Sequence, residues 1–409
     1  MRSPLKLAMF GMVVFGPVGA TDWPRYLGPE GDSKVAGELG NGFEPKEVWT
    51  AELGRGCSGF AIAGGKAVVM GNRANLEAVW CFDAKSGELL WKHEYAEPLN
   101  PKYYDGGPSV TPTIDGNRVY SLSRTGKLFC LSLDDGAVRW KKDYVADFGG
   151  KAPTWGYAAA PVVRGGGQEL YCLPCAKDAA VYVLDKMSGE VSWKFGKGKT
   201  KAGYSAPVFF KDQGKHAMAA FHGRQLIAYN LDDNGSELFA HTWRTSYDVN
   251  ASNPQYHDGK MFFASGYGMG YSVIDVSTGD PQVLHKDEDT RMVFQNSILL
   301  GDDIVGVFGD KNIEAELIRM DLATGKVLWR EAMPGTRGSS LMVGETMVIL
   351  AETGDLIVGV PSPEGWKERG RATVLQSEGK CWAPLAYADG RVYIRANTGE
   401  AACLELTPE

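Results

Sequence analysis

Short runs of apolar residues, separated by polar turns, recur along the whole chain. One stretch shows the pattern most completely: Met320 is followed by Asp321, Thr324 and Gly325, and a second apolar run ends at Trp329. Asp and Gly at this spacing favour a tight turn, because the carboxylate can hydrogen-bond the backbone two residues on and glycine accepts a positive φ. The stretch therefore predicts strand, turn and strand, with the tryptophan as a large apolar anchor.

The same turn recurs at regular intervals, which indicates a repeat protein. Successive turn glycines from Gly87 to Gly325 lie 44 to 53 residues apart. The turn residues and anchors are Asp83, Gly87 and Trp91; Gly136 and Trp140; Asp185, Gly189 and Trp193; and Asp321, Gly325 and Trp329, with weaker copies that end at Phe239 and Val283. Strand-rich repeats of this length are typical of β-propeller blades. We expect the anchors to pack between neighbouring blades.

Eight repeat units follow from this pattern. They cover residues 57–95, 107–144, 156–195, 203–243, 249–285, 293–332, 338–375 and 382–406. The last unit has only three strands, whereas Val48–Leu53, which contains Trp49, is an isolated strand near the N-terminus. Pairing of this strand with the last unit would close the ring and remove an exposed sheet edge. We predict an all-β, eight-bladed propeller of four-stranded antiparallel blades, in one domain over residues 48–409.

The N-terminal residues predict export. Arg2 and Lys6 precede an apolar run over residues 7–15, and small residues follow up to Ala20. This is the pattern of a signal peptide cleaved after Ala20, and the run is too short to span a membrane; an uncleaved anchor is the alternative. We expect an irregular extension over residues 21–47 and a periplasmic or secreted mature protein.

The charge of the chain argues against two kinds of partner. Its formal net charge is −7, and loss of residues 1–20 removes Arg2 and Lys6 and leaves −9. Because the protein is acidic, we do not expect it to bind nucleic acid. For the same reason, we do not expect its charge to attract it to an anionic membrane surface. No further apolar run reaches the roughly 18 residues of a membrane span. We expect a monomer without a membrane span.

The seven cysteines are an odd number, so at least one has no partner within the chain, although an exported protein can form disulfides. Cys81, Cys130 and Cys403 hold similar strand positions in their repeats and are expected to be small core residues. Cys172 and Cys175 have the spacing of a redox motif but lie in a strand-rich repeat. They are expected to be either a local disulfide or two structural thiols.

One face of the predicted propeller carries the longer and more varied connections. In a four-stranded antiparallel blade, the loop between strands two and three shares this face with the linker to the next blade, and binding residues tend to lie on such loops. The candidate ligand-binding residues are Arg55, Tyr104, Trp155, Tyr157, Tyr204, Asn250, Asn296, Arg337 and Trp382. They could hold a planar or sugar-like ligand or a peptide, or they could be loop residues that share no ligand.

The sequence contains no recognisable catalytic motif. Its six histidines lack zinc-hydrolase spacing, and it has neither a nucleophile elbow nor a phosphate-binding loop. The acidic runs 232–234 and 287–289 lack EF-hand spacing, so we interpret them as solvated turns instead of calcium sites. We expect no catalytic residue and no metal site.

The repeated turn resembles the tryptophan-docking motif of the pyrroloquinoline-quinone (PQQ) repeat propellers. Residues 321–329 match that motif almost throughout, and the segment that starts with Asp22, Trp23 and Pro24 is similar to the beginning of secreted bacterial members. The resemblance covers nearly the whole mature chain and implies an eight-bladed propeller. One branch of this family consists of quinoprotein dehydrogenases with PQQ, calcium and an aspartate base. Another is cofactor-free and acts as a scaffold in outer-membrane-protein assembly.

The chain resembles the cofactor-free branch more closely. The dehydrogenases are longer, and many carry two adjacent cysteines beside the cofactor, which this sequence lacks. The resemblance implies an exported, non-catalytic scaffold without a cofactor that binds a protein, peptide or glycan through the loop-rich face. The alternative is a PQQ- and calcium-dependent dehydrogenase for alcohols or sugars, with Trp155 or Trp382 as the ring on which the quinone stacks.

Overall fold

The computed structural model describes residues 21–39, 43–101, 104–164, 166–376 and 380–407, so the predicted signal peptide lies outside the described residues. Apart from one 3₁₀ turn at Ser246–Asp248, the regular structure of these residues is β-strand. No helix among them is long and apolar enough to cross a membrane. The strands are β1 (Lys34–Val35), β2 (Glu44–Glu52), β3 (Ala61–Ala63), β4 (Lys66–Arg73), β5 (Leu76–Asp83), β6 (Leu89–Ala96), β7 (Thr113–Asp115), β8 (Arg118–Leu122), β9 (Lys127–Ser132), β10 (Val138–Asp143), β11 (Val162–Val163), β12 (Glu169–Cys172), β13 (Val181–Asp185), β14 (Val191–Phe195), β15 (Val208–Asp212), β16 (Lys215–His222), β17 (Gln225–Asn230), β18 (Ser236–Thr242), β19 (Gln255–His257), β20 (Lys260–Ser265), β21 (Gly270–Asp275), β22 (Gln282–Asp287), β23 (Ile298–Leu300), β24 (Asp303–Asp310), β25 (Ile313–Asp321), β26 (Val327–Ala332), β27 (Gly338–Val343), β28 (Thr346–Ala351), β29 (Asp355–Ser362), β30 (Gly365–Thr373), β31 (Ala386–Ala388), β32 (Arg391–Arg395) and β33 (Glu400–Thr407).

These strands form the eight antiparallel blades of a propeller, as predicted. Blade 1 consists of β3 to β6, and the following blades take the next four strands in turn, up to β27 to β30 in blade 7. The first strand of each blade is innermost, and β3 contacts both β7 and β31 around the axis. The loops between strands two and three and the linkers between blades therefore share one face, which we call the loop-rich face.

Blade 8 is completed by a strand from the other end of the chain, which confirms the predicted ring closure. Its sheet order is β2, β33, β32 and β31, and β2 runs antiparallel to β33. Trp49 lies opposite Cys403 in this ladder. The closing strand begins at Glu44, before the predicted start at Val48, so its pairing is longer than predicted.

The strands are covered on both faces, as their apolar runs predicted. Residues 67–70 of β4 are completely buried. Val68 and Met70 pack with residues of blade 2, whereas Ala67 and Val69 pack with residues of blade 8. Full burial of one such side chain contributes roughly 1.5–3 kcal/mol. The hydrophobic core therefore consists of the interfaces between blades.

The aspartates of the repeated turns make the local hydrogen bonds that the sequence predicted. Oδ1 of Asp83 accepts hydrogen bonds from the backbone N–H groups of Ser86 at 2.7 Å and Lys85 at 3.0 Å. The equivalent oxygens of Asp185 and Asp321 accept backbone hydrogen bonds in the same way. These bonds, chiefly those from Ser86, lower the pKa of the Asp83 carboxyl. The carboxylate is therefore ionised at neutral pH and keeps the hydrogen bonds that stabilise the turn.

Tryptophan anchors connect neighbouring blades. Nε1 of Trp91 donates to the carbonyl oxygen of Leu133 in blade 2 at 2.8 Å. The ring of Trp91 covers Gly136 so closely that a Cβ there would lie 2.6 Å from it, and Gly136 has a φ of 72°. Only glycine meets both conditions. Equivalent indole contacts join Trp49 to Gly87 and Trp140 to Gly189, and Trp329 donates to Ser362 of blade 7.

Blade 3 departs from this pattern. Trp193 donates to Oε1 of Glu169 in its own blade at 2.8 Å. The ring that covers Gly235 of blade 4 belongs to Phe195, which stacks on Trp193 with ring centroids 4.7 Å apart. Trp193 therefore supports the inter-blade contact through Phe195 and does not itself cover the glycine.

The prediction that Val283 is the anchor of blade 5 was wrong. Val283 is exposed, and His285 covers Gly325 of blade 6 instead. His285 pairs with Val273 in the ladder of β21 and β22. Val273 corresponds to Cys81 of blade 1, which pairs with the anchor Trp91. The turn before it contains Pro281 and is longer, so the anchor lies two residues further along.

Residues 21–35, which we call the channel segment, pack against the innermost strands of the ring, whereas Leu39 already contacts Arg369 in β30, the outermost strand of blade 7. Trp23 and Ile62 of blade 1 exchange two backbone hydrogen bonds of 2.8 Å. β1 pairs in parallel with β27, the innermost strand of blade 7. Between these contacts, Nδ2 of Asn296 donates to the hydroxyl of Tyr26. Because the backbone of Gly64 and Gly344, in first turns of blades 1 and 7, also binds this segment, it enters from the face opposite the loop-rich face.

All seven cysteines are free thiols, and six of them are buried. Cys81, Cys130 and Cys403 are buried core residues, as predicted, and they lie in blade interfaces. Of the two alternatives for Cys172 and Cys175, the structure contains separate thiols. Burial raises the pKa of each of these two thiols to about 12, so they have the character of core residues.

Candidate ligand-binding face

Four aromatic side chains form a ridge on the loop-rich face. Trp155, Tyr204 and Tyr247 lie in the linkers that precede blades 3, 4 and 5, and Tyr267 lies in the loop between β20 and β21. The ring centroids are 6.3 Å apart for Trp155 and Tyr204, 5.5 Å for Trp155 and Tyr247, and 6.3 Å for Tyr247 and Tyr267. We call these four residues the aromatic ridge.

The outer half of the ridge is open to solvent. Tyr247 is 66% exposed and Tyr267 is 36% exposed, and no other aromatic residue in the described ranges is exposed. Their φ angles of 62° and 58° lie in the left-handed region. Such backbones cost about 1–3 kcal/mol and cluster at functional sites. Nε of Arg224 donates to Asp248 at 2.7 Å, and this bond stabilises the strained backbone next to Tyr247.

The inner half of the ridge is packed into the face. Trp155 and Tyr204 pack against one apolar cluster of linker residues that contains Val249 and Val293. The hydroxyl of Tyr104 donates to the carbonyl oxygen of Trp155 at 3.5 Å, and the hydroxyl of Tyr204 accepts from the backbone N–H of Trp155 at 3.4 Å. Tyr104, Trp155 and Tyr204, all predicted as binding residues, thus lie together.

Arg337 and Trp382, two further predicted residues, form a second group. The guanidinium of Arg337 lies 5.0 Å from the ring centroid of Trp382 and 5.3 Å from that of Phe294. Glu352 accepts a hydrogen bond of 2.7 Å from Nε1 of Trp382 and lies 3.4 Å from Nη1 of Arg337. Burial favours a raised pKa for Glu352, but hydrogen bonds from Thr336 and Trp382 and the charge of Arg337 lower it. The group is a polar and aromatic cluster that joins blades 6 to 8, although Nε of Arg337 is buried without a hydrogen-bond partner among the described residues.

Of the remaining predicted binding residues, Asn296 lines a small cavity together with Arg337 and Trp382, whereas Tyr157, Asn250 and Arg55 join neither group. The buried hydroxyl of Tyr157 donates to a backbone carbonyl at 3.1 Å. Asn250 is completely buried and donates to two backbone carbonyls. Asn296 is bonded to Tyr26 of the channel segment. Arg55 is exposed in the linker before blade 1 and forms an ion pair of 3.1 Å. Tyr157, Asn250 and Asn296 therefore stabilise the connections of this face.

A cleft of about 580 Å³, which the sequence did not predict, adjoins the aromatic ridge. It is lined by residues 149–154, 175–177 and 199–202 together with Tyr247 and Asp248. Three linkers and one inter-strand loop of the loop-rich face therefore form its walls. The available sequence signal was the alternation of Lys197, Lys199 and Lys201 in the linker before blade 4. We call it the lysine cleft.

A thiol and an imidazole meet at the wall of the lysine cleft, although they are distant in the sequence. Sγ of Cys175 lies 3.5 Å from Nδ1 of His222. Burial raises the pKa of Cys175 to about 12 and lowers that of His222 to about 4, so both groups are neutral near pH 7. A cysteine nucleophile acts as the thiolate, which this environment disfavours. The pair is structural.

Neither the cavity at the axis nor the aromatic ridge fits a PQQ and calcium centre. The cavity between Trp382 and the channel segment has a volume of about 30 Å³, roughly that of one water molecule. Trp155 meets Tyr204 and Tyr247 at interplanar angles of 63° and 87°, so these three rings do not combine into one flat surface. Within the described ranges, no group of three or more His, Cys, Asp or Glu side chains could hold a metal ion.

Sequence comparison relates the chain to one protein family. The profile of the family described as "Outer membrane protein assembly factor BamB" matches residues 76–331. A curated protein of that name from Salmonella typhimurium is 31% identical over 91 residues, which is 22% of this chain and 22% of the relative. The alignment with this relative thus spans about a fifth of its length.

Structure comparison finds the same fold in several proteins. BamB from Moraxella catarrhalis superposes with a TM-score of 0.58 at 16% identity, over 88% of this chain and 98% of that one. The quinohemoprotein alcohol dehydrogenase from Comamonas testosteroni gives a TM-score of 0.65 at 12% identity, over 95% and 82% of the two chains. At such identities the likeness establishes the propeller fold alone.

Proposed function

The chain belongs to the outer membrane protein assembly factor BamB family, and from this premise we propose that it is a non-catalytic scaffold that binds a protein partner through its loop-rich face. By analogy with the name of its relatives, the partner belongs to the machinery that assembles outer-membrane proteins. The proposal includes export to the periplasm or beyond, with cleavage after Ala20, and needs no cofactor.

The aromatic ridge is the observation that supports a binding role most directly. Exposed tyrosines provide a large contact area at a small cost in side-chain entropy, and tyrosine and tryptophan are enriched among the residues that dominate binding energy. The ridge lies on linkers of a rigid propeller, a typical place for binding residues. Its rings meet edge-on, which favours an irregular protein surface over the flat face of a sugar or a quinone.

Complementation of a deletion strain tests this role. Tyr247→Asn combined with Tyr267→Asn removes the exposed half of the ridge, and asparagine tolerates the left-handed backbone. Loss of two such side chains should weaken binding by about 2 kcal/mol or more, roughly 30-fold or more. The amount of β-barrel protein in the outer membrane should therefore fall to the level of the deletion strain.

The control for this experiment removes two apolar residues of comparable exposure from outer strands. Leu90 and Leu328 are 42% and 45% exposed on β6 and β26, and Leu90→Asn with Leu328→Asn should complement fully. Immunoblots and melting temperatures would verify that both variants are present and folded. Full complementation by the tyrosine variant, or normal β-barrel levels in the deletion strain, would refute the proposal.

A further inference from the structure

The lysine cleft concentrates positive charge on an acidic protein. Lys151, Lys177, Lys199 and Lys201 all line it and are all exposed. The formal net charge of the whole chain is −7, so a cluster of four positive charges in one cleft is a local reversal of sign. Because charges in a salt solution are screened over about 8 Å, a ligand in the cleft experiences mainly these lysines.

The four lysines have no ion-pair partner within the described part of the chain. Nine other lysines do form such pairs, for example Lys186 with Asp115 at 2.6 Å and Lys66 with Asp134 at 2.7 Å. The one acidic residue that lines the cleft, Asp248, is already bound by Arg224 at 2.7 Å. The positive charge of the cleft is therefore available to a ligand.

We infer that the lysine cleft binds an acidic peptide segment of the partner protein, an inference that rests on the proposed function. The cleft has the volume of a ligand-binding pocket and is much larger than a phosphate ion needs. Tyr247 belongs both to the cleft and to the aromatic ridge, so a segment that places carboxylates among the lysines would bring its next residues onto the ridge. A concave cleft also presents its lysines poorly to a flat membrane surface.

The contribution of the lysines is electrostatic and moderate. Each exposed ion pair contributes only a small part of the affinity, because water and salt screen it. Neutralisation of all four lysines should weaken binding about 30-fold, which corresponds to about 2 kcal/mol. The same binding should weaken as the salt concentration rises.

A binding assay with a defined probe tests the inference. The probe is a fluorescein-labelled peptide that alternates glutamate and alanine around a central phenylalanine, and its neutral counterpart has glutamine at each glutamate. The test variant carries Lys151→Gln, Lys177→Gln, Lys199→Gln and Lys201→Gln. The control variant carries Lys85→Gln, Lys141→Gln, Lys211→Gln and Lys326→Gln, which changes the net charge equally at exposed lysines outside the cleft.

The glutamate peptide should bind the wild type and the control variant alike and the test variant about 30-fold more weakly, while the glutamine peptide should bind none of them. Equal binding to both variants, or no binding at millimolar peptide, would overturn the inference. So would lysine-dependent binding of inorganic phosphate or of phosphatidylglycerol vesicles without binding of the peptide. A negative result here does not decide the complementation test, because the lysine variant leaves Tyr247 and Tyr267 of the ridge unchanged.

Discussion

Glu77 is a carboxyl group enclosed by blade 1 near the loop-rich face. The hydroxyl of Tyr95 donates to its Oε1 at 2.6 Å, and no described residue donates to its Oε2. Burial raises the pKa of Glu77 to about 8, and the nearby charge of Glu97 adds to this effect. The residue is therefore mostly protonated at neutral pH, unlike an exposed glutamate.

Glu77→Gln should stabilise the protein more at pH 8 than at pH 5. An unfolded glutamate ionises above about pH 4.3, whereas folded Glu77 keeps its proton to about pH 8, so the native state binds more protons in this window. The contribution of Glu77 to stability is thus present at low pH and falls as the pH rises to 8. Glutamine does not titrate, and its advantage at pH 8 should be roughly 2–4 kcal/mol.

Melting temperatures at both pH values would measure this effect, with the exposed Glu94→Gln as the control. Relative to this control, Glu77→Gln should gain stability as the pH rises from 5 to 8. An advantage of Glu77→Gln that is the same at pH 5 and pH 8, or larger at pH 5, would show that Glu77 is ionised in the folded protein.

At the residue scale, local contacts could be predicted and distant ones could not. The bonds of Asp83 to Lys85 and Ser86 lie within one turn, so the sequence pattern contains all their determinants. His285 takes the place of the predicted Val283 because the length of the preceding turn sets the register. The contact between Cys175 and His222 depends on the packing of two blades, and no spacing in the sequence reveals it.

At the scale of secondary-structure elements, β2 connects the two ends of the chain. The ring of Trp49 packs against Phe82 of blade 1 and Tyr393 of blade 8, with centroids 5.7 and 5.9 Å away. Its Nε1 donates to Ala84 of blade 1 at 3.1 Å. Without β2, β33 would be an exposed sheet edge that other chains could pair with. The closure was predictable because the last repeat lacks a strand that the N-terminus supplies.

Truncation at two points separates the closing strand from the channel segment. A chain that begins at residue 43 keeps β2, whereas one that begins at residue 54 also loses β2 and Trp49. The shorter chain should aggregate and melt far below the longer one, since removal of a buried tryptophan side chain alone costs about 3–5 kcal/mol. Addition of a synthetic peptide of residues 43–53 should restore the melting temperature of the shorter chain. Equal melting and light scattering for the two chains would contradict the role of β2.

At the scale of the whole molecule, the two faces of the ring differ. The channel segment fills the axis from the side of the short turns, and the aromatic ridge and lysine cleft occupy the loop-rich face. The sequence indicated the ring and the face with the variable connections, because both follow from the repeat. It did not indicate that Tyr26 lies in the channel or that four lysines converge, since these depend on how separate blades and linkers meet in space.

Site-specific photocrosslinking in the host cell tests most directly that the loop-rich face docks a protein partner. A photoreactive phenylalanine analogue would replace Tyr247 on the ridge or, as a control, the exposed Lys326 in a short turn on the opposite face. Mass spectrometry should identify a component of the outer-membrane-protein assembly machinery crosslinked to position 247 and absent from position 326. The same adduct from both positions, or an adduct from position 326 alone, would contradict the account.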